Sequence, residues 1–379
     1  MTRVLAPWLV SLGFLGCLPP LAAAEPIDPA SATPETDGLL LWYDLKLLDL
    51  EGKGWSETKA IYDRLPARAE GVVRDPVWGL SRHSAGLCAR FVTDAASIKA
   101  RWTLISENLA MPHMPATGVS GLDLYAKDGQ GRWRWLANGR PTAATNSLEL
   151  AAGLPSGERE YLLYLPLYNG VSNVELGIPK ESKLAKAAAY PAERAKPIVF
   201  YGTSITQGGC ASRPGMVHTA IVGRRLARPV INLGFSGNGR MEPEMAALMA
   251  ELDPAVYVLD CLPNMNAAEV AERVEPFVRT LREAHPETPI VLVEDRNYTD
   301  GFLVPSKRER NESSHAALRA AHERLLAAGV ENLHYLPGEF LLGDDGEGTV
   351  DSSHPTDLGF MRQAAAFEDV LGPLCLPGR

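Results

Sequence analysis

No two cysteines in this chain are spaced CxxC, and only five occur in 379 residues. That excludes the usual small zinc site. No apolar run is long enough to favour a membrane span. The one candidate, Val4 to Leu18, sits at the N-terminus behind a single charge, Arg3. A positive surplus is missing too: the formal charge is -9, a poor match for nucleic acid or anionic lipid. Tryptophan is absent after residue 135, although Trp42, Trp55, Trp78, Trp102, Trp133 and Trp135 precede it. So uneven a distribution argues for two domains, as the length does.

What is present is the composition of a soluble globular protein, 46% hydrophobic and 22% charged. Residues 1–24 have the form of a secretory signal, with Ala22-Ala23-Ala24 as the cleavage site. Cleavage after Ala24 is expected ahead of lipidation at Cys17, because Phe14 is a poor residue before a lipoprotein site. The expected location is outside the cell or in the periplasm, without stable membrane insertion. Export permits disulfides among Cys88, Cys210, Cys261 and Cys375, but the sequence does not pair them.

Residues 25–37 are polar and rich in Pro and Ala, and are expected to be a flexible leader. From 38 to 180 the pattern is β. Ile98, Ala100, Trp102 and Leu104 alternate with polar neighbours, and Leu122 to Lys127 and Arg132 to Leu136 flank Asp128-Gly129 as a hairpin. Several short strands predict a β-sandwich. Residues 181–196, rich in Ala and Lys, are expected to be a linker. From 197 to 379 strands alternate with helices: Ile198–Gly202, Val230–Leu233, Ala255–Leu259, Ile290–Val293 and Asn332–Leu336 are the candidate strands. Asn266 with Glu269 predicts a capping box, and Thr356 caps the last helix. This alternation implies a mostly parallel sheet covered on both faces. Arg296 to Glu312, polar and aperiodic, reads as a loop over the site.

Ligands in open α/β sheets lie beyond the carboxyl ends of the strands. Ser204 follows the first strand in Tyr201-Gly-Thr-Ser204, where a serine is more often a cap or turn residue. His354 lies in Asp351-Ser-Ser-His354, a spacing that lets the carboxylate reach the imidazole and fix its tautomer. The glycines of Asn232-Leu-Gly-Phe-Ser-Gly-Asn-Gly239 let backbone amides approach a ligand, and Asn264 places an amide at the same end of the sheet. All four in strand order suggest a serine nucleophile, base, orienting acid and oxyanion donors. A phosphate-cradling role for Gly202 to Gly209 leaves Asp351, His354 and Asn264 unexplained. The other histidines, His83 and His113 among them, read as surface, capping or core residues. Trp133 and Trp135 suit either a sugar platform or packing, and Arg213 and Arg240 either substrate contact or structure.

Gly202-Thr203-Ser204, Gly237, Asn264 and Asp351-x-x-His354 resemble the four signature blocks of the SGNH hydrolases, or GDSL esterases. Gly121-Leu-Asp-Leu-Tyr125 resembles the motif of the branch with an N-terminal GxDLY sandwich. The resemblance implies a three-layer α/β, flavodoxin-like domain with a mostly parallel five-stranded sheet, preceded by a jelly-roll-like β-sandwich. It implies Ser204 as nucleophile, His354 as base, Asp351 as its orienting acid, and an oxyanion hole from the Ser204 and Gly237 amides and the Asn264 side chain. No metal or cofactor is needed. Thr203 stands where many members have Asp, and Met265 follows Asn264 where many have Asp, which implies a different local hydrogen-bond network. The expected reaction is hydrolysis of a short acyl ester, acetyl first, on a small-molecule or oligosaccharide alcohol. An acyltransferase with the same residues is the alternative. Chain length, alcohol and oligomeric state are not specified.

Overall fold

In the computed structural model, which describes residues 25–339 and 341–375, the alternating segments form twelve short strands ahead of residue 197. They are β1 (Glu25–Pro26), β2 (Thr33–Pro34), β3 (Leu40–Asp44), β4 (Leu50–Glu51), β5 (Cys88–Thr93), β6 (Ser97–Leu104), β7 (Leu122–Lys127), β8 (Trp133–Gly139), β9 (Thr145–Ala152), β10 (Arg159–Tyr164), β11 (Val171–Pro179) and β12 (Leu184–Lys186), with three short helices, α1 (Asp75–Ser81), α2 (Ala116–Val119) and α3 (Ala192–Ala195), among and after them. One antiparallel sheet has the order β1-β12-β5-β10-β7-β8 with β4 on β5, and a second has the order β2-β3-β11-β6-β9. Residues of both, Phe91, Leu124 and Leu163 from one and Tyr43, Ala100, Trp102 and Leu176 from the other, share a single apolar core. Every second residue of β6 is buried, the period of a sheet with one dry face. The signal peptide and its Cys17 alternative lie outside the described residues.

Two readings at the domain boundaries change. The leader is not loose where it is described: β1 pairs with β12 and β2 with β3. The expected linker also begins too early, because Leu184–Lys186 adds a strand beside β5. Leu184 is buried, a role that lysine-rich surroundings conceal.

Beyond residue 197, β13 (Ile198–Gly202), β14 (Val230–Gly234), β15 (Val256–Asp260), β16 (Ile290–Val293) and β17 (Leu333–Leu336) form a parallel sheet of order β14-β13-β15-β16-β17. That is the flavodoxin-like order 2-1-3-4-5. Alternate residues of β13 feed two cores. Val199 and Tyr201 pack on α6 (Pro243–Met249), α7 (Ala267–Ala284) and α8 (Pro305–Ala327), while Ile198 and Phe200 pack on α5 (His218–Leu226) and α9 (Asp357–Cys375). The three central strands are buried throughout, as a sheet covered on both faces requires. Asn266 closes the capping box of α7 with Glu269. The polar stretch 296–312 is a loop only as far as Val304, and the rest is the start of α8. Its first turns are polar because they face solvent, and Leu318, Ala321 and Leu325 of the same helix are buried.

The two halves are joined by packing. Trp55, Leu65, Val73 and Val77 enter one core of the parallel-sheet domain, and Met114, Val119 and Leu167 enter the other. The Gly-x-Asp-Leu-Tyr segment forms a polar latch. Asp123 accepts from Arg213 Nη1, Gly215 N and Trp135 Nε1, each at 2.8 Å, and Arg213 also donates to the Tyr125 hydroxyl. Asp123 is fully buried. Its loss strands a cation and two N–H donors, so Asp123→Ala is expected to cost about 3 kcal/mol. Urea unfolding measures that, and hydrogen exchange should quicken at residues 208–217. A cost below about 1 kcal/mol would show that the latch is dispensable.

Candidate active site

The short helix α4 (Ser204–Gln207) begins directly where β13 ends. Thr203 caps it, its hydroxyl accepting from Ile205 N. Ser204 Oγ lies 2.7 Å from His354 Nε2, and His354 Nδ1 lies 2.7 Å from Asp351 Oδ2. Asp351 Oδ1 also accepts from the His354 amide at 2.8 Å and the Ser353 amide at 3.2 Å. The carboxylate thus folds its own turn and fixes the ring. Partial burial pushes the Asp351 carboxyl up, but the hydrogen bonds from the His354 backbone and ring outweigh it and hold it below its ordinary value. An ionised Asp351 keeps the proton on Nδ1 and leaves Nε2 to accept from Ser204.

The candidate donors converge on the same strand ends. The Ser204 and Gly237 amides have no backbone acceptor among the described residues. Gly237 stands at φ +69, with open space where a Cβ would point, so the loop can turn without a side chain blocking a ligand. The amide of Asn264 takes the orientation its neighbours impose: Oδ1 accepts from Asn238 N at 3.0 Å and Gly239 N at 3.2 Å. Nδ2 is then the group of this amide left to donate. A Cβ at Gly239 would meet Gly202 O at 1.9 Å, so this loop can sit against β13 only with glycine there.

The first domain supplies a supporting shell that the sequence does not reveal. Arg64, buried and without a carboxylate partner among the described residues, donates to Asn232 O at 3.0 Å and Gly234 O at 2.8 Å, and also to Leu80 O and His83 O. Burial lowers its pKa to about 9. Gln207 links the halves: its Nε2 reaches Leu167 O and His83 Nδ1, each at 3.1 Å, and its Oε1 accepts from Ser236 N at 3.0 Å. Burial, with Arg64 nearby, lowers His83 to about 4, so its ring is neutral near neutral pH and can accept. Tyr168 OH donates to Ser204 O at 3.1 Å. His113 is exposed on the first domain, and its ring centroid lies 6.2 Å from that of His354.

Other singled-out residues resolve into structure. Arg213 belongs to the latch, and Arg240 Nε donates to Gly237 O at 3.1 Å, bracing the loop after β14. Trp135 is half exposed but binds Asp123, and Lys127 sits over the Trp133 ring. All four described cysteines are free and buried. Burial, then the charge of Asp351, pushes the Cys210 thiol up to about 12, which disfavours a thiolate beside the serine.

A 2-1-3-4-5 parallel sheet with a hydrogen-bonded serine, histidine and aspartate at its strand ends defines a hydrolase of the three-layer α/β class. The chain belongs to the GDSL-like lipase/acylhydrolase family, whose profile matches residues 195–372. Residues 40–184 match the GxDLY family, described as "N-terminus of Esterase_SGNH_hydro-type". A GDSL-like lipase from Bacteroides ovatus is 34% identical, with 88% of this chain and 98% of that one covered and a TM-score of 0.83. Two others share the fold. The salicylyl-acyltransferase SsfX3 from a tetracycline biosynthetic pathway is 20% identical, covering 92% and 98%, with a TM-score of 0.68. A family two carbohydrate esterase from Cellvibrio japonicus is 13% identical, covering 94% and 96%, with a TM-score of 0.53. No curated protein sequence matches significantly.

Proposed function

We propose that this chain is an exported serine esterase that removes short acyl groups, acetyl first, from a carbohydrate through an acyl-enzyme. The observation that carries the reading is the unbroken path from Ser204 Oγ through His354 to Asp351, with 2.7 Å at each step. His354 Nε2 takes the proton as Ser204 Oγ attacks the carbonyl, and Asp351 stabilises the resulting imidazolium. The Ser204 amide, the Gly237 amide and Asn264 Nδ2 meet the oxyanion. The imidazolium then protonates the departing alcohol. Water activated by the same ring releases the acid and regenerates Ser204. Carbohydrate as the alcohol draws support from the shared fold with a family two carbohydrate esterase and from the expected export. Passing the acyl group to an alcohol in place of water would make the enzyme a transferase.

An aryl phosphate ester that phosphorylates activated serines tests the site directly. Intact mass should rise by one phosphoryl group, peptide mapping should place it on Ser204, and turnover should fall in step. Labelling elsewhere, or undiminished turnover after labelling, would reject the mechanism. Acetylated xylo-oligosaccharides compared with aryl esters of rising chain length then test the substrate. Acetate should be fastest, and free acetate should exceed any acetyl transferred to an added alcohol.

A further inference from the structure

Away from the serine, a cleft of about 750 Å³ opens between the two domains. The first domain lines it with Arg90, Lys127, Arg132 and Arg134; the facing side adds Arg194, Arg224 and Arg225. Ion pairs join this group to Glu51, Glu160, Asp128 and Glu368. Seven cations against four carboxylates make a positive site on a chain whose net charge is -9.

The donors are also unevenly used. Arg132 and Arg134 both approach Asp128 Oδ2 through Nε, at 3.0 Å, and their Nη groups have no partner among the described residues. The Arg194 guanidinium has none either. These are the planar, bidentate edges that recognise carboxylates. Trp133 and Tyr190 line the same cleft; Lys127 covers one face of the first ring and Arg90 one face of the second, which leaves at most one face of each for the C–H face of a sugar.

We propose that this cleft is a second binding site, separate from Ser204, for the carboxylates of an acidic oligosaccharide built from uronic acids. Its volume suits a ligand of a few sugar units, and a long polyanion reaching past it would meet the acidic remainder of the chain. The cleft reaches Arg194 and Ala227, just ahead of β13 and β14, whereas Ser204 follows β13. Five residues of strand, about 16 Å, therefore separate it from the reacting ester, so it holds the oligosaccharide rather than the acyl group. The sugar identity rests on the carbohydrate reading above; recognition of a polycarboxylate does not.

Calorimetric titration with a galacturonic acid trimer tests this, using the full chain and the variant Arg132→Ala/Arg134→Ala/Arg194→Ala. The full chain should bind at low salt and more weakly as salt rises. The variant should bind at least about tenfold more weakly, with aryl acetate turnover within about twofold of the parent. Absence of binding at low salt, equal affinity for neutral cellotriose, undiminished binding by the variant, or tighter binding of a short single-stranded oligonucleotide would each overturn the proposal. Binding of the trimer by a chain with no esterase turnover would leave this site standing and reject the proposed function instead.

Discussion

Ser204→Ala is expected to lower kcat for a short-chain aryl ester by roughly ten-thousand- to a million-fold, the range found when a triad nucleophile is removed. The size follows from the division of labour. The donors at Ser204 N, Gly237 N and Asn264 Nδ2 survive the change, since two are backbone groups and the third belongs to another loop. What disappears is the covalent route. Folding should hardly register it. Ser204 is only partly buried and its Oγ makes a hydrogen bond with His354 alone, so the loss is about one hydrogen bond, roughly 1 kcal/mol. Melting should shift by no more than a few degrees. The comparison is steady-state turnover beside a thermal melt on one preparation. A variant that keeps a tenth of the parent rate would remove Ser204 from the mechanism, and one that fails to fold would be seen in the melt and not mistaken for a catalytic defect.

Legibility of this chain in its sequence depends on range. Strands such as Ile198–Gly202 and Ile290–Val293 stand out because a sheet covered on both faces buries every residue of its central strands. Asp351-x-x-His354 is legible because the carboxylate and the ring meet within one turn, and the Asn266–Glu269 capping box is local too. Arg64 carries no comparable signal. Its partners are carbonyls of Asn232 and Gly234, some 170 residues away in sequence, and a carbonyl leaves no mark on residue identity. Tyr168 is hidden for the same reason, and His83 because its ring partner, Gln207, is more than a hundred residues away. So is the strand at Leu184–Lys186, whose pairing with β5 joins segments about 90 residues apart. In each case the missing information is where a distant part of the chain comes to rest; the linker boundary and the β1 end of the leader fail for that reason, whereas β2 pairs with the nearby β3.

Beneath the candidate site lies a second long-range feature with a large consequence. Asp260 ends β15, and Arg296 follows β16; both are almost wholly shielded from solvent. Arg296 meets the carboxylate with both Nη groups, Nη2 to Oδ2 at 2.8 Å, and its Nε and Nη2 also reach Gln363 Oε1 on α9. Thr206 Oγ1, in the short helix that Ser204 begins, donates to Asp260 Oδ2 at 3.2 Å. One buried pair therefore joins two strands, the turn carrying Ser204, and the helix that follows His354. Removing either partner leaves the other charged and dry, so Asp260→Leu or Arg296→Met is expected to destabilise the fold by about 3–5 kcal/mol. The desolvation cost of the pair itself gives the opposite expectation for joint replacement. Asp260→Leu with Arg296→Met removes both charges while filling similar volume, and should recover most of the loss. Urea unfolding of the two single variants and the double variant reads the coupling. Single losses below about 1 kcal/mol would mean that water reaches the pair, whereas a double variant no more stable than the singles would mean that the hydrogen bonds to Thr206 and Gln363, and not charge balance, hold the floor of the site.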